Sequence, residues 1–312
     1  MKEKSDGFAS DRNKEPGGGS SILTVSSEEK SPYSLKVLAD GQVTLRDERV
    51  GETFHPVIGA MKEARQLYVE QTFLGSCWNL PSTGKKTVWD VGLGAAANLT
   101  AVFEAWSEGA YGDLDVESFD TDWGALSFAL THVKEHPASF SYLKDLHWEQ
   151  MMRDQALLIH RAKRHFYWKF HQGDFRTTCT NPGLGKPDLI MYDLYSAPKS
   201  PGLYSLGHWK KLKEQMGEHP CLVVLHTRST VVRVTMALAG WYLGAGVGLG
   251  EKEETTLAAS QAGVLRKPFG RDWLAKVKRS TSASPLLEDG KAAGPIADVW
   301  LEQLERHPQW AG

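Results

Sequence analysis

Residues 87–98 read Thr-Val-Trp-Asp-Val-Gly-Leu-Gly-Ala-Ala-Ala-Asn, an apolar strand that runs into a Gly-x-Gly turn and then into a helix. Glycine allows a sharp turn and lets a ligand approach the backbone, and the helix that follows begins with free N–H groups. This strand, turn and helix predict a parallel α/β sheet with a small-molecule site at the carboxyl edge of its strands.

Two classes of cofactor fit this turn. Gly92, Gly94 and Ala97 satisfy the dinucleotide pattern Gly-x-Gly-x-x-Gly/Ala, which allows NAD or FAD and hence an NAD-linked oxidoreductase. However, Asp90 ends the strand two residues earlier, where a carboxylate would repel a pyrophosphate and attract the ammonium and sulfonium groups of S-adenosylmethionine. We therefore expect Asp90, Gly92 and Gly94 to bind S-adenosylmethionine.

Composition excludes several classes of protein. The chain has 312 residues, enough for one large α/β domain or two small ones, and its net charge of −2 argues against a generally basic nucleic-acid-binding protein. Cys77, Cys179 and Cys221 are far apart and lack metal-ligand spacing, which favours a reduced cytoplasmic protein without a zinc site. The apolar run 231–250 contains Arg233 and five glycines, so we predict a helix, a turn and a strand rather than a membrane span.

The chain divides into three predicted parts. Residues 1–30 are rich in Lys, Glu, Ser and Gly and are expected to form a disordered tail. Residues 31–280 are expected to form one domain, with a β-hairpin and a type I′ turn at Asp40-Gly41, a helix over 57–74, and then alternating strands and helices of a doubly wound, mostly parallel sheet. Residues 281–312 are predicted to be a flexible tail with a short helix.

Acidic residues follow the second and third strands of the predicted sheet. Asp120 lies where the ribose hydroxyls of an adenosine cofactor are held, although an acid here is also suited to cap the next helix, for which Asp122 is the better candidate. Asp174 is placed to accept the adenine amino group or to serve as an ordinary turn residue.

Asp193 ends another apolar strand at the same predicted edge, before a loop that two prolines stiffen. Methyl transfer to nitrogen is an in-line displacement, which needs an aimed lone pair and an acceptor for the surplus proton. Asp193 is suited to hold the amine and receive its proton while Tyr195 packs on the substrate; the alternative is that Asp193 caps a loop. Because carboxylates are weak bases, orientation should matter more than proton abstraction.

Basic residues suggest RNA phosphates as a partner. Arg228 lies in a Thr-Arg-Ser-Thr segment after the next strand, which suits phosphate or polar substrate contacts or a helix N-cap. Two stretches are locally basic: residues 161–171, where four aromatics alternate with charges, and residues 266–279, which include Lys276, Lys278 and Arg279. A solvated helix face explains each stretch equally well. The histidines, including His226, lack ligand spacing and are interpreted as buried, hydrogen-bonded side chains.

From about Ser34 to Ser280 the chain resembles the MnmC-type methyltransferase domain, which acts on the wobble uridine of tRNA. The resemblance is carried by blocks in the family's order: Gly51-Glu52-Thr53-Phe54-His55, Glu63 with Tyr68-Val69, Asp90 to Asn98, Ser118-Phe119-Asp120, Gly173-Asp174, Asp193-x-Tyr195 with Lys199-x-Pro201, Thr227-x-Ser229 with Val232-Arg233, Ala239-Gly240-Trp241, and Lys252-x-Glu254. The family's Thr-Gly after the second glycine is Ala95-Ala96 here.

This resemblance implies a class I S-adenosylmethionine-dependent fold and methylation of the aminomethyl nitrogen on a modified uridine; a methyltransferase of another amine is the alternative. It implies that Asp193 is the catalytic acid and that the cofactor contacts are Glu63, Asp90, Gly92, Gly94, Asn98, Asp120 and Asp174. Lys199 and Arg233 join the basic residues expected to contact substrate or RNA. We expect a stand-alone cytoplasmic enzyme that lacks the FAD-dependent domain of bifunctional relatives and that needs neither metal nor membrane.

Overall fold

Two β-sheets organise the residues that the computed structural model describes, which are 31–55, 59–72, 84–109, 112–144, 146–248, 254–291 and 294–310. From Pro32 onward these residues belong to one folded unit. The predicted disordered tail, residues 1–30, lies outside the described residues, as do Cys77, Lys252 and both ends of the helix predicted over 57–74.

The smaller sheet is antiparallel and contains β1 (Tyr33–Val37), β2 (Val43–Asp47) and β3 (Glu52–Thr53) in that order. The predicted hairpin joins β1 to β2, but its turn differs from the prediction. Leu38 N donates to Gln42 O over 2.7 Å, which encloses three residues and ends with Gly41 at φ +83°. A type I′ turn needs positive φ at two successive residues, and Asp40 does not have it, so that prediction is wrong.

The larger sheet has eight strands in the order β10-β11-β9-β8-β4-β5-β7-β6. Their bounds are β4 Lys86–Val91, β5 Leu114–Asp120, β6 Ala156–Arg161, β7 Arg164–Gln172, β8 Leu189–Tyr192, β9 Leu222–Leu225, β10 Tyr242–Gly246 and β11 Thr255–Ala259. The five central strands are parallel, and β6, β10 and β11 pair antiparallel at the two ends. The predicted doubly wound, mostly parallel sheet is therefore confirmed. Its strand order reverses at β4, which places a crevice beyond the carboxyl ends of β4, β5 and β8.

Helices cover both faces of this sheet. They are α1 Ala60–Ala64, which continues as a π-helical segment Arg65–Glu70, α2 Ala97–Ser107, α3 Gly124–Thr131, α4 Pro137–Phe140, α5 Trp148–Asp154, α6 Phe175–Thr178, α7 Leu206–Met216, α8 Thr230–Leu238, α9 Arg271–Arg279 and α10 Asp298–Glu305. Short 3₁₀ turns span Ser141–Lys144, Pro201–Leu203 and Pro308–Trp310. The buried residues form two hydrophobic cores. Val88 of β4 packs into one core, and the next residue, Trp89, packs into the other. Strands covered on both faces are continuously apolar for this reason.

Three of the four aromatic residues of the basic stretch 161–171 belong to the core. In β7 the side chains of Phe166, Trp168 and Phe170 are buried, while Lys169 between them is exposed. Strand alternation therefore accounts for the interleaved pattern. We do not retain this stretch as an RNA-binding surface.

Residues 281–291 and 294–310 pack as part of the domain, in contrast to the predicted flexible tail. Leu286, Leu304 and Trp310 are buried in the core that lies against α8. The Trp310 ring stacks on Trp273 of α9 at 5.5 Å. Composition suggested a tail because the apolar residues of this segment are widely spaced, and only the fold shows that they share one surface. Within the described part of the chain, no helix has the length and apolar character that a bilayer span requires.

Candidate active site

The glycine turn after β4 is shaped by close approach of the backbone. Gly92 has φ +92°, and its amide donates to Phe119 O over 2.9 Å. A Cβ added at Gly92 would lie closer than 3.0 Å to the carbonyl oxygen of Asp193, so no side chain fits between the ends of β4 and β8. Gly94, at φ +53°, donates its amide to Asp120 Oδ2 over 2.9 Å. The turn and the acid after β5 therefore form one wall.

A cavity lies against this wall, beyond the ends of β4, β5 and β8, and residues around the smaller sheet cover it. Four carboxylates line it, those of Glu63, Asp120, Asp122 and Asp193. The guanidinium in the lining, Arg49, is already paired with Asp47 at 2.8 Å. Two opposite unit charges 4 Å apart attract by about 4 kcal/mol at an effective dielectric constant of 20. The cavity therefore suits a cationic ligand.

Asp120 and Asp122 have different roles. Asp122 accepts the amide of Gly124, the first residue of α3, over 2.6 Å, so it is the capping acid, as predicted. Asp120 accepts Gly94 N and, over 2.7 Å, Thr121 N, and its burial raises the pKa of its carboxyl above the usual value. Asp120 is thus the acid that the cavity presents at the end of β5.

Asp90 does not contribute the charge that the sequence suggested. Its side chain is fully buried, accepts a hydrogen bond from Ser118 Oγ over 2.8 Å, and is absent from the cavity lining. Burial raises the pKa of Asp90 to about 8, with the nearby carboxylates of Asp193 and Asp120 adding to the effect. At neutral pH this group is mostly protonated, so the negative charge comes from the acids that line the cavity.

Asp193 is held by α2. Asn98 Nδ2 donates to Asp193 Oδ2 over 2.9 Å, and the Asp193 amide donates to Val91 O over 2.9 Å. The buried Oδ1 of Asn98 and the hydroxyl of Tyr68 have no hydrogen-bond partner among the described residues. Asn98, predicted as a cofactor contact, thus orients the candidate catalytic acid.

The loop after Asp193 is bonded to the smaller sheet. The Tyr195 hydroxyl donates to Asp47 Oδ2 over 2.6 Å, and burial and this bond raise its pKa well above the usual value. Ser196 N donates to Glu52 over 2.9 Å, and the ring of Phe54 meets that of Tyr195 edge to face at 5.8 Å. The Tyr195 hydroxyl is therefore engaged, and the residue lines the cavity.

Two histidines bracket Glu63 in the same cavity. His226 Nδ1 lies 2.9 Å and His55 Nδ1 lies 3.2 Å from Glu63 Oε1, and the glutamate side chain is only 2% exposed. Burial opposes ionisation of Glu63, but hydrogen bonds from His226 and His55 hold its pKa well below the usual range. His55 has a left-handed backbone, at φ 41°, and although burial opposes its charge, Glu63 and Asp193 raise its pKa. Sequence analysis singled out Glu63 but did not predict that His55 and His226 contact it, because the three residues come from separate segments.

A second cavity lies on the other side of Asp193, beyond β8 and β9. Its polar lining comes from Ser196, Thr227 and Ser229, and its apolar lining includes Pro198 and Tyr204. Three residues, Asp193, Leu194 and His226, line both cavities. The arrangement provides space for two ligands that meet at a carboxylate and an imidazole.

Several predicted site residues lie elsewhere. Asp174 lines neither cavity; it accepts Arg176 N at the start of α6 and pairs with the Arg176 guanidinium, whose hydrogen bonds lower the pKa of Asp174. Arg233 is buried, and its guanidinium donates to Thr256 Oγ1 over 2.9 Å, Thr255 O over 2.9 Å and Glu254 over 2.6 Å. These bonds account for both residues, so we do not retain Asp174 as an adenine contact or Arg233 as an RNA contact.

The remaining predicted cations are exposed. Lys199 lies in the loop after β8, and Arg228 lies between two residues of the second cavity. Lys276, Lys278 and Arg279 lie on the outer face of α9, whose inner face is buried, and Lys278 forms an ion pair with Glu305. Within the described ranges, no group of three His, Cys, Asp or Glu side chains is arranged to hold a metal ion.

The fold is shared with a solved structure. The crystal structure of MnmC2 from Aquifex aeolicus superposes with a TM-score of 0.61 and 22% identity, over 89% of this chain and 85% of that one. A probable spermidine synthase from Corynebacterium glutamicum gives a TM-score of only 0.38 at 9% identity, over 89% of this chain and 91% of that one. No family model and no curated protein matches the sequence. The MnmC-like, class I methyltransferase fold that the resemblance implied is thus confirmed.

Proposed function

We propose that this protein is an S-adenosylmethionine-dependent N-methyltransferase that acts on the aminomethyl group of a modified wobble uridine in tRNA. The observation that carries this proposal is the pair of cavities that meet at Asp193 and His226. One cavity has the features of a cofactor site, and the other is open to a second, polar ligand.

The first cavity fits S-adenosylmethionine better than a dinucleotide. The turn at Gly92 and Gly94 leaves room for a ligand against the backbone, and Asp120 lies where ribose hydroxyls are bound in folds of this kind. The lining carboxylates favour the ammonium and sulfonium groups, and the same charges would repel a pyrophosphate. The bound cofactor would supply an electrophilic methyl group.

The second cavity fits a polar base that carries an amine. The hydroxyl groups of Thr227 and Ser229 can donate and accept hydrogen bonds, as recognition of a base edge requires, while that of Ser196 already donates to Glu52. Tyr204 offers an apolar face beside them. Asp193, at the boundary, attracts the ammonium form of the amine and orients it toward the first cavity, which is the positioning that an in-line displacement needs.

Exposed cations near the second cavity supply contacts for RNA. Lys199 and Arg228 flank its lining, where they can bind the phosphates of a nucleotide that has entered it. Lys276, Lys278 and Arg279 on α9 provide a further basic surface. With tRNA as the substrate, we propose that the enzyme acts in the cytoplasm.

The test is methyl transfer from labelled S-adenosylmethionine to tRNA that carries an aminomethyl group on its wobble uridine. We expect label on the amine nitrogen, identified by mass spectrometry of the nucleosides, and none on tRNA with an unmodified uridine. With S-adenosylmethionine at saturation, Asp193→Asn should transfer methyl groups at least 10²-fold more slowly, because the amine loses the carboxylate that orients it. Transfer only to small amines would favour the alternative substrate, and tighter binding of NADH than of S-adenosylmethionine would refute the cofactor assignment.

A further inference from the structure

We propose that His226, held in place by Glu63 and His55, accepts the proton that the substrate amine loses before methyl transfer. This assignment rests on the function proposed above. It gives a role to a histidine pair that sequence analysis interpreted as ordinary buried side chains.

The chemistry requires such a group. A primary alkylamine has a pKa of about 10, so at neutral pH it is an ammonium ion without a lone pair. One N–H bond must break, and its proton must move to a base. The nitrogen lone pair then forms the N–C bond while the S–C bond breaks, and that bond's electron pair stays on sulfur. The products are a thioether and a secondary ammonium ion, and the proton on the base returns to solvent.

His226 is positioned for this step. It follows β9 directly and lines both cavities, so an amine held where the two cavities meet lies beside it. Its Nδ1 is 2.9 Å from Glu63 Oε1. When Nδ1 donates to that carboxylate, the lone pair of the neutral imidazole is on Nε2, and the imidazolium that forms on protonation is stabilised by the charge of Glu63.

Glu63 and His55 act as positioning residues. Glu63 is almost fully buried on α1, and both imidazoles contact the same oxygen, Oε1. The left-handed backbone of His55 costs on the order of 1 kcal/mol, and such strain is common where a side chain must be held at a functional site. His55 thus fixes the carboxylate that orients His226.

Asp193 is less suited to take the proton. Imidazole is by its chemistry a stronger base than a carboxylate and is the side chain that most often serves as a general base near neutral pH. One oxygen of Asp193 also accepts a hydrogen bond from Asn98. Among the residues that the structure describes, the charged and titratable groups in the lining around His226 include Glu63 from α1, His55 from the segment after β3, Asp193 from the loop after β8, and Tyr204 across the second cavity. Arg228 follows on its own segment. Asp193 then serves to attract and orient the amine.

The test is the dependence of kcat/KM on pH for the wild type and for His226→Gln. Loss of a general base typically costs about 10²-fold or more, so the variant should be at least about 10²-fold slower at pH 7. It should gain about tenfold per pH unit toward pH 10, because without the base only the neutral amine reacts. Imidazole added to His226→Ala should restore activity at pH 7. His147→Gln, at an exposed histidine outside both cavities, should keep the wild-type profile.

A second measurement does not need turnover. NMR titration of the imidazole carbons should show the His226 midpoint at lower pH in Glu63→Gln than in the wild type, because the imidazolium loses its carboxylate partner. Urea unfolding followed by tryptophan fluorescence confirms that each variant is folded. An active wild type whose pH profile is unchanged in His226→Gln would overturn this assignment alone. A wild type that methylates no aminomethyl tRNA would overturn the proposed function and this assignment with it.

Discussion

Replacement of Gly92 by alanine tests whether the turn after β4 must be free of side chains. The backbone of Gly92 has φ +92°, and an added Cβ would overlap the carbonyl oxygen of Asp193. Gly183 offers a matched control, since it has φ +90° and no heavy atom lies within 4 Å of its added Cβ. Both substitutions impose the same backbone strain, and only one adds a collision with a neighbouring strand end.

The two costs can be separated. A positive φ in a residue with a Cβ costs about 1–3 kcal/mol, which the reduced freedom of the unfolded chain offsets by about 0.4–1 kcal/mol in both variants. Overlap with the rigid backbone adds about 1–3 kcal/mol for Gly92→Ala. We therefore expect Gly183→Ala to lose about 1 kcal/mol of unfolding free energy and Gly92→Ala about 2–4 kcal/mol.

The assay is urea unfolding followed by tryptophan fluorescence, which the 11 tryptophans of the chain make sensitive. Binding of S-adenosylmethionine by calorimetry is the second readout, and it should weaken at least tenfold in Gly92→Ala while staying at the wild-type value in Gly183→Ala. Equal unfolding free energies for the two variants, or undiminished cofactor binding by Gly92→Ala, would refute the reasoning.

Three further predictions concern stability. Burial raises the pKa of Asp90 from 3.8 to about 8, so between these pH values the folded protein keeps this proton while the unfolded chain loses it. The free energy of unfolding of the wild type therefore falls as pH rises from about 4 to 8. The advantage of Asp90→Asn over the wild type should therefore grow across that window by up to about 1.4 kcal/mol per pH unit in urea unfolding; a constant difference would contradict a buried neutral acid. Arg233→Met should cost about 2 kcal/mol, because it leaves the Thr255 carbonyl without its donor, yet tRNA affinity should stay at the wild-type value; weakened binding by the folded variant would restore Arg233 as an RNA contact. Trp310→Ala should lower the unfolding free energy by about 3–5 kcal/mol, whereas an unchanged urea midpoint would mean that the C-terminal segment is a tail after all.

Local sequence patterns were sufficient for the sheet and the glycine turn. The apolar run that ends at Asp90, the two glycines and the helix from Ala97 are neighbours in sequence, and their physical constraints act over a few residues. The same holds for Asp120 and Asp193, because the ends of parallel strands meet at one edge whatever the loops between them do.

Contacts between distant segments could not be predicted from local sequence patterns. His55, Glu63 and His226 meet only because α1 and the smaller sheet close over the ends of the larger sheet, and no local spacing encodes that contact. Asp90 was expected to be charged because of its position in the motif, but its complete burial, which favours the neutral form, is visible only in the structure. Arg233 was predicted to contact RNA because its hydrogen-bond partners, Thr255 and Thr256, lie more than twenty residues later in the chain.

Ala96 has a backbone conformation that favours glycine, the residue that the MnmC-type motif has at this position. It has φ +62°, a left-handed conformation, at the position where the MnmC-type motif has glycine. The chain therefore keeps the turn's backbone geometry without the residue that favours it. Thr100 N and Thr100 Oγ1 both donate to Ala96 O, over 3.0 Å and 2.8 Å, and help to fix this start of α2.

The central claim is that a positively charged methyl donor and an amine meet between two cavities at Asp193 and His226. A crystal structure with S-adenosylmethionine and an aminomethyluridine nucleoside tests it most directly. The account predicts the donor's methyl group at the boundary between the cavities and the amine nitrogen facing it, within hydrogen-bond distance of Asp193. A donor bound outside the first cavity, or a nucleoside whose amine lies away from Asp193 and His226, would contradict it.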